Sequence, residues 1–215
     1  MNITIDLETI PSPTRPAPSD IKAPANYKDP EKITAYQAAG VEDEWRRQAL
    51  HPLKGRILCI AWAVEDDEPQ VIGPGDRDES GLVRAFATAL YGAMPVNERT
   101  YPLASVRWIG HNVSEFDLVW LRLRALKYRS TWLAGCINLD RYKGNFEDTM
   151  QLLGGWRDKF SLDDACRFFG LGGKTEGLDG SKVCDFWQAG KYETIAAYCK
   201  GDVRLARSLY RALKN

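Results

Sequence analysis

Val106-Arg107-Trp108-Ile109-Gly110-His111-Asn112-Val113-Ser114-Glu115-Phe116-Asp117 is the stretch on which the fold turns. Val106 to Ile109 read as a strand, which glycine stops. Beyond it, Phe116–Leu126 places apolar residues at Leu118, Val119, Leu121, Leu123 and Leu126, which predicts a helix with one wet, basic side. A strand passing through a short polar turn into a helix fits an α/β domain.

Working outward, Arg56–Val64 (RILCIAWAV) is the near-continuous apolar run of a central strand. Gln70-Val71-Ile72 reads as its short hairpin partner, after the acidic turn Glu65–Glu68. Residues 2–7 alternate polar and apolar with β-branched side chains and predict an opening strand. Between these strands, Pro11, Pro13, Pro16, Pro18, Pro24 and Pro30 impose a loop or surface arm, followed by a charged helix from about Glu31 to Leu50 that Pro52 ends. Helical spacing recurs at Ser80–Leu90, Asp148–Leu153, Ser161–Phe169 and Thr194–Leu213, with a glycine-rich loop, Gly170–Gly180, before the last helix. The expectation is one domain over residues 1–215, strands early and helices late, with an arm-and-helix insertion at about 11–54.

Lysine plus arginine equals aspartate plus glutamate, 29 against 29, so no bulk charge draws the chain to nucleic acid and any such binding must be local. Cys59, Cys136, Cys166, Cys184 and Cys199 are odd in number and form no C-x-x-C pair, which argues against a zinc site or a disulfide framework and for a reducing compartment. Met1-Asn2-Ile3-Thr4-Ile5-Asp6 has neither a basic start nor an apolar core, so a secretory signal is not expected. No apolar run approaches the roughly 20 residues that span a bilayer. A cytoplasmic protein without a membrane partner is the expectation.

Three acidic clusters stand at or within element ends. Asp6 and Glu8, in Asp6-Leu7-Glu8-Thr9, are two apart and project from one face of a strand. Asp117 closes the strand-to-helix junction quoted above. Tyr198 and Asp202, in Tyr198-Cys199-Lys200-Gly201-Asp202, are four apart and stack on one face of a helix. Each cluster alone has a plain structural explanation; their order and company do not.

That order, D-x-E-T, then G-H-N-x-x-x-F-D, then Y-x-x-x-D, resembles the three exonuclease motifs of the DEDD superfamily, and the tyrosine marks its DEDDy branch. Gly173-Lys174, Asp179-Gly180-Ser181-Lys182-Val183 and Gln188-Ala189-Gly190-Lys191 continue the likeness. They are similar to stand-alone predicted exonucleases related to the proofreading domain of family-B DNA polymerases. The resemblance leaves out mainly residues 11–54. Ala206 stands where those relatives often carry threonine, outside the chemistry.

The resemblance implies an RNase H-like fold, a mixed central β-sheet flanked by helices. It implies a 3′–5′ exonuclease that acts on DNA, single-stranded by preference, and releases nucleoside 5′-monophosphates. An RNA-trimming exoribonuclease is the alternative within enzymes; a non-catalytic nucleic-acid-binding module, which would usually lack a carboxylate, is the alternative outside them. Two divalent ions, Mg2+ or Mn2+, would be held by oxygen ligands, as hard cations require. Asp6 would bridge them, Glu8 and Asp202 would complete the site of one, and Asp117 would hold the other. Tyr198 would orient the attacking water. Replication or repair proteins are candidate partners.

Substrate contacts are less sharply drawn. Asn112 and Phe116 match residues that contact the 3′-terminal nucleotides in the relatives, although Phe116 equally suits the core. Thr9 either bonds the terminal nucleotide or closes the strand. Ser161 opens a segment similar to one that helps bind single strands, and with Asp164 it also suits a helix cap. Arg122, Arg124, Lys127 and Arg129 either track phosphates or form a solvated face, and Lys174, Lys182 and Lys200 are candidates for the same task. His111 reads as structural, and the tryptophans Trp45, Trp108, Trp120, Trp156 and Trp187 as core or interface.

Overall fold

The computed structural model describes residues 1–73, 75, 77–100, 103, 105–173 and 179–214. Residues 174–178 of the expected glycine-rich loop, Lys174 among them, lie outside the described residues. In chain order the elements are β1 (Asn2–Ile10), α1 (Pro30–Arg47), β2 (Arg56–Val64), β3 (Gln70–Ile72), α2 (Glu79–Ala93), β4 (Arg107–Gly110), α3 (Asp117–Lys127), α4 (Thr131–Gly135), β5 (Phe146–Asp148), α5 (Thr149–Gly154), α6 (Leu162–Phe168), α7 (Val183–Gln188) and α8 (Tyr192–Lys214). The chain divides into two compact units, Met1–Glu8 with Ile57–Asn215, and Thr9–Arg56.

In the larger unit the strands lie in the order β3-β2-β1-β4-β5. β4 runs parallel to β1, with Thr4 opposite Ile109, and β5 runs parallel to β4, with Asp148 opposite Gly110. β3 is antiparallel to β2, as the short hairpin requires. Central position explains why β1 is apolar on alternate residues yet buried almost throughout. Ile3, Ile5 and Leu7 pack into a core with Phe86 and Leu90 of α2 and Leu118 and Leu121 of α3. The alternate residues Asp6 and Glu8 therefore face the other way, toward α8, where the Cys199 thiol donates to the Asp6 carbonyl at 3.4 Å. The sheet is thus covered on both faces.

The smaller unit is organised about α1. Asp29 caps it by accepting from Glu31 N at 3.0 Å, and Pro30 fills a first-turn position that needs no N–H donor. Trp45 is buried, donates from Nε1 to Ser12 O at 2.8 Å, and carries the Arg15 guanidinium 4.2 Å from its ring.

Two expectations are corrected. The opening strand, expected over residues 2–7, runs on to Ile10, and the mostly helical C-terminal part is preceded by β5, a strand of three residues too short to show a period of two. α3 does not have a continuous wet, basic side. Arg124 is buried in an ion pair with Glu79, which also accepts from Tyr128 Oη at 2.5 Å and from Ile57 N at 2.7 Å. Arg124 therefore joins α3 to α2 and β2. No helix among the described residues is long and apolar enough to cross a membrane.

Candidate active site

The site begins where β4 stops. A Cβ on Gly110 would sit 2.8 Å from the Val113 side chain and 3.0 Å from Ile5 O, so only glycine fits where the turn crosses β1. Asn112 follows with φ of 60°, a conformation that asparagine tolerates better than most residues. Asp148, at the end of β5, holds this turn. Its buried carboxylate accepts from Asn112 N (2.8 Å), Ser114 N (3.0 Å) and Ser114 Oγ (2.8 Å), and caps α5 through Met150 N (3.1 Å).

The turn delivers Asp117 to the start of α3, where its Oδ1 accepts the Leu7 N–H at 2.9 Å. Leu7 lies between Asp6 and Glu8, so this bond joins the first acidic cluster to the second. Burial first, and then the negative charge of Asp6, hold the Asp117 carboxyl well above the usual carboxylate range, with Asp148 adding to the effect and the Leu7 N–H opposing it. Tyr198 of α8 hydrogen-bonds Asp202 one turn on. Its phenol is pushed far above its ordinary value by burial, then by the charges of Asp202, Glu8 and Asp6. All four carboxylates are thereby linked to one another or to this phenol.

Cys199 is a neighbour that motif reading passes over. Its Sγ and one oxygen each of Asp6 and Glu8 lie within 4.8 Å of one another. Burial, contact with Cys59 and the two carboxylates all raise the thiol's pKa. This environment disfavours the thiolate, so the cysteine lines the site beside the two carboxylates. What is left for an ion is a set of hard oxygens whose mutual repulsion a divalent cation relieves, so the donors fit Mg2+ or Mn2+ and not a thiolate-bound metal.

The other expected residues are placed variously. Asn112 lines a shallow groove beside the turn. Phe116 is half-buried against the core, its ring 5.9 Å from that of Trp120. Thr9, in the smaller unit, donates its hydroxyl to Ala49 O at 2.6 Å. Ser161 caps α6, accepting from Asp164 N at 3.0 Å and donating to Asp164 Oδ2 at 2.7 Å. His111 is braced at both ring nitrogens, 2.7 Å from Phe160 O and 2.9 Å from Thr149 Oγ1. Asp148 was missed by motif reading, although an acid at the junction of Phe146-Glu147-Asp148-Thr149 follows the same element-end pattern as the others.

A mixed five-stranded sheet flanked by helices, with acids within its central strand and at the end of the turn beside it, defines an α/β domain of RNase H-like type. The chain belongs to the family of predicted 3′–5′ exonucleases related to the exonuclease domain of PolB, whose model matches residues 98–211, more than half of the chain. That span contains Asp117, Tyr198 and Asp202 but not Asp6 or Glu8. Exonuclease domains of this kind use divalent metals. The fold is similar to that of the family B DNA polymerase from the hyperthermophilic archaeon Pyrobaculum calidifontis, with a TM-score of 0.63 and 19% identity over 99% of this chain. The chain spans 24% of that polymerase's length. No curated protein matches.

Proposed function

We propose that the protein is a DEDDy-type exonuclease that removes nucleoside 5′-monophosphates from the 3′ end of single-stranded DNA, with two divalent ions held by Asp6, Glu8, Asp117 and Asp202. The observation that carries this reading is the neighbourhood of Tyr198, a buried phenol bonded to Asp202 and lying in the field of Glu8 and Asp6. Metal, when bound, supplies an activated water and charge relief on the leaving oxygen.

The chain's own residues do the rest. Asp6 and Glu8 share one face of β1, and Asp117 is tied to the same strand through Leu7, so the ligand set is preorganised by the sheet. Tyr198 keeps its proton throughout the working pH range, which excludes it as a general base. Its hydroxyl donates to Asp202 and offers its lone pairs to a water in line with the phosphorus, a positioning role. The raised Asp117 carboxyl gives up its proton when positive charge arrives.

The test is a 5′-labelled single-stranded DNA and the matching RNA, incubated side by side with Mg2+, Mn2+, Zn2+ or EDTA. A descending ladder on DNA with Mg2+ or Mn2+ is expected, and none with EDTA. Faster shortening of the RNA would move the substrate to RNA, and activity with Zn2+ alone would overturn the site.

A further inference from the structure

Two hollows flank the segment 155–160. The first is the shallow groove that Asn112 shares with Glu115, Met150, Trp156 and Lys159, so it is lined by the same turn that leads into Asp117. The second is an apolar cavity of about 370 Å3, lined by Leu153, Phe160, Asp164, Ala165, Phe168 and Phe169. That is within the range of small-ligand pockets. The bond between His111 and Phe160 O ties the wall between them to the same turn.

Aromatic surface is left open here. Phe168 is 84% exposed, Phe160 46% and Trp156 39%, whereas α6 turns Leu162, Ala165 and Cys166 into the core against α8. Exposed aromatics gathered in one place mark a binding surface more often than chance does. The Arg141 guanidinium lies 4.3 Å from the Trp156 ring, and Lys159 pairs with Glu115 at 2.7 Å in an exposed bridge that an arriving phosphate displaces at little cost. Glu115, Asp158 and Asp164 line the same hollows, so positive charge is not in excess. Whatever binds is held mainly by its faces.

We propose that Trp156, Phe160 and Phe168, with Lys159 and Arg141, form a stacking track for bases lying 5′ of the terminal nucleotide of a single strand. The proposal rests on the nuclease reading above. It excludes Ser161 and Leu162, which are spent on a helix cap and the core. Stacking on aromatic faces is indifferent to base identity, as removal of successive nucleotides requires.

The test compares wild type with a Trp156→Ala/Phe168→Ala double variant, both sites being exposed enough to leave the fold intact. Binding of a fluorescein-labelled oligothymidylate dodecamer is measured by anisotropy with EDTA present, and cleavage of the dodecamer and of a dinucleotide with Mn2+. The variant is expected to bind the dodecamer about ten-fold or more weakly per platform removed and to raise its KM correspondingly, with dinucleotide cleavage unchanged. Equal dodecamer affinity in variant and wild type overturns the track and leaves these aromatics as a protein-contact surface. Weaker binding by the variant while wild type cuts neither strand sustains the track and overturns the nuclease reading instead.

Discussion

Leu7 donates its backbone N–H to the Asp117 carboxylate at 2.9 Å across 110 residues of sequence. Because Leu7 stands between Asp6 and Glu8, one hydrogen bond sets the spacing of three of the four acids without help from an ion. Asp117 therefore carries two duties, one structural and one proposed for metal, and substitutions separate them. Asp117→Asn keeps an oxygen for Leu7 and removes the charge; Asp117→Ala removes both and strands a buried N–H. Both variants should lose cleavage. Urea unfolding in EDTA should show stability at or above wild type for Asn and a loss of about 1–3 kcal/mol for Ala. Equal losses in the two would refute the division of duties.

The same carboxyl makes metal-free stability depend on pH. Its folded pKa is raised, by burial first and Asp6 second. The folded state thus holds a proton that the unfolded chain has released, and the stability so gained is complete below the unfolded value near 3.9 and fades as pH rises through the folded one. In EDTA, wild-type Tm should therefore decline relative to Asp117→Asn as pH rises from about 4. Saturating Mg2+ favours the ionised form, so the Mg2+-induced rise in Tm should grow with pH. Parallel Tm profiles for the two proteins in EDTA would show that Asp117 is not titrating as described.

Tyr198→Phe removes the hydroxyl and keeps the buried ring. Loss of one positioned proton-handling contact typically slows a reaction by about 100- to 10,000-fold, so residual cleavage should be measurable while the metal-induced rise in Tm persists. Since the phenol's pKa is raised, the wild-type rate should show no limb at the ordinary tyrosine value near 10. Wild-type speed in the Phe variant would remove Tyr198 from the mechanism.

Sequence reading reached Asp6, Glu8, Tyr198 and Asp202 because each pair obeys a local geometry, two apart on a strand or four apart on a helix. It reached β2 because eight apolar residues in succession, Ile57 to Val64, leave little choice. It missed Asp148 because β5 is three residues long, and missed the depth of Cys199 because only the packing of α8 on β1 puts that thiol against Asp6. Arg124 was misread for a related reason. Its partner Glu79 lies 45 residues away, and a basic residue on a helix shows nothing of a distant acid.

Arg124→Ala should accordingly destabilise the protein without touching the chemistry. It leaves the largely buried Glu79 with only the longer, 3.8 Å pairing to the exposed Lys127, and breaking one side of a buried pair typically costs about 3–5 kcal/mol. Chemical denaturation should register that loss while single-strand affinity, measured below the transition, stays at the wild-type level. A ten-fold loss of affinity with unchanged stability would restore Arg124 to a phosphate-tracking role.

Asp6 offers the sharpest test of the cluster. It is the acid whose charge raises the pKa of both Asp117 and Tyr198, so its removal is felt across the cluster. Asp6→Asn keeps the side-chain shape and deletes one repelling charge. Cleavage should be abolished, yet the metal-free variant should melt at or above the wild-type temperature. An ion that binds only the folded state stabilises it by mass action, so Mg2+ or Mn2+ should raise the wild-type Tm, and the variant should lose most of that rise. A purely structural Asp6 predicts the reverse, since deleting a useful cap or ion pair costs about 1 kcal/mol and has no link to metal. Thermal melts with EDTA, Mg2+ and Mn2+, beside the labelled-strand assay, decide between the two. A variant that melts lower without metal and still shortens DNA would dismantle the proposed site.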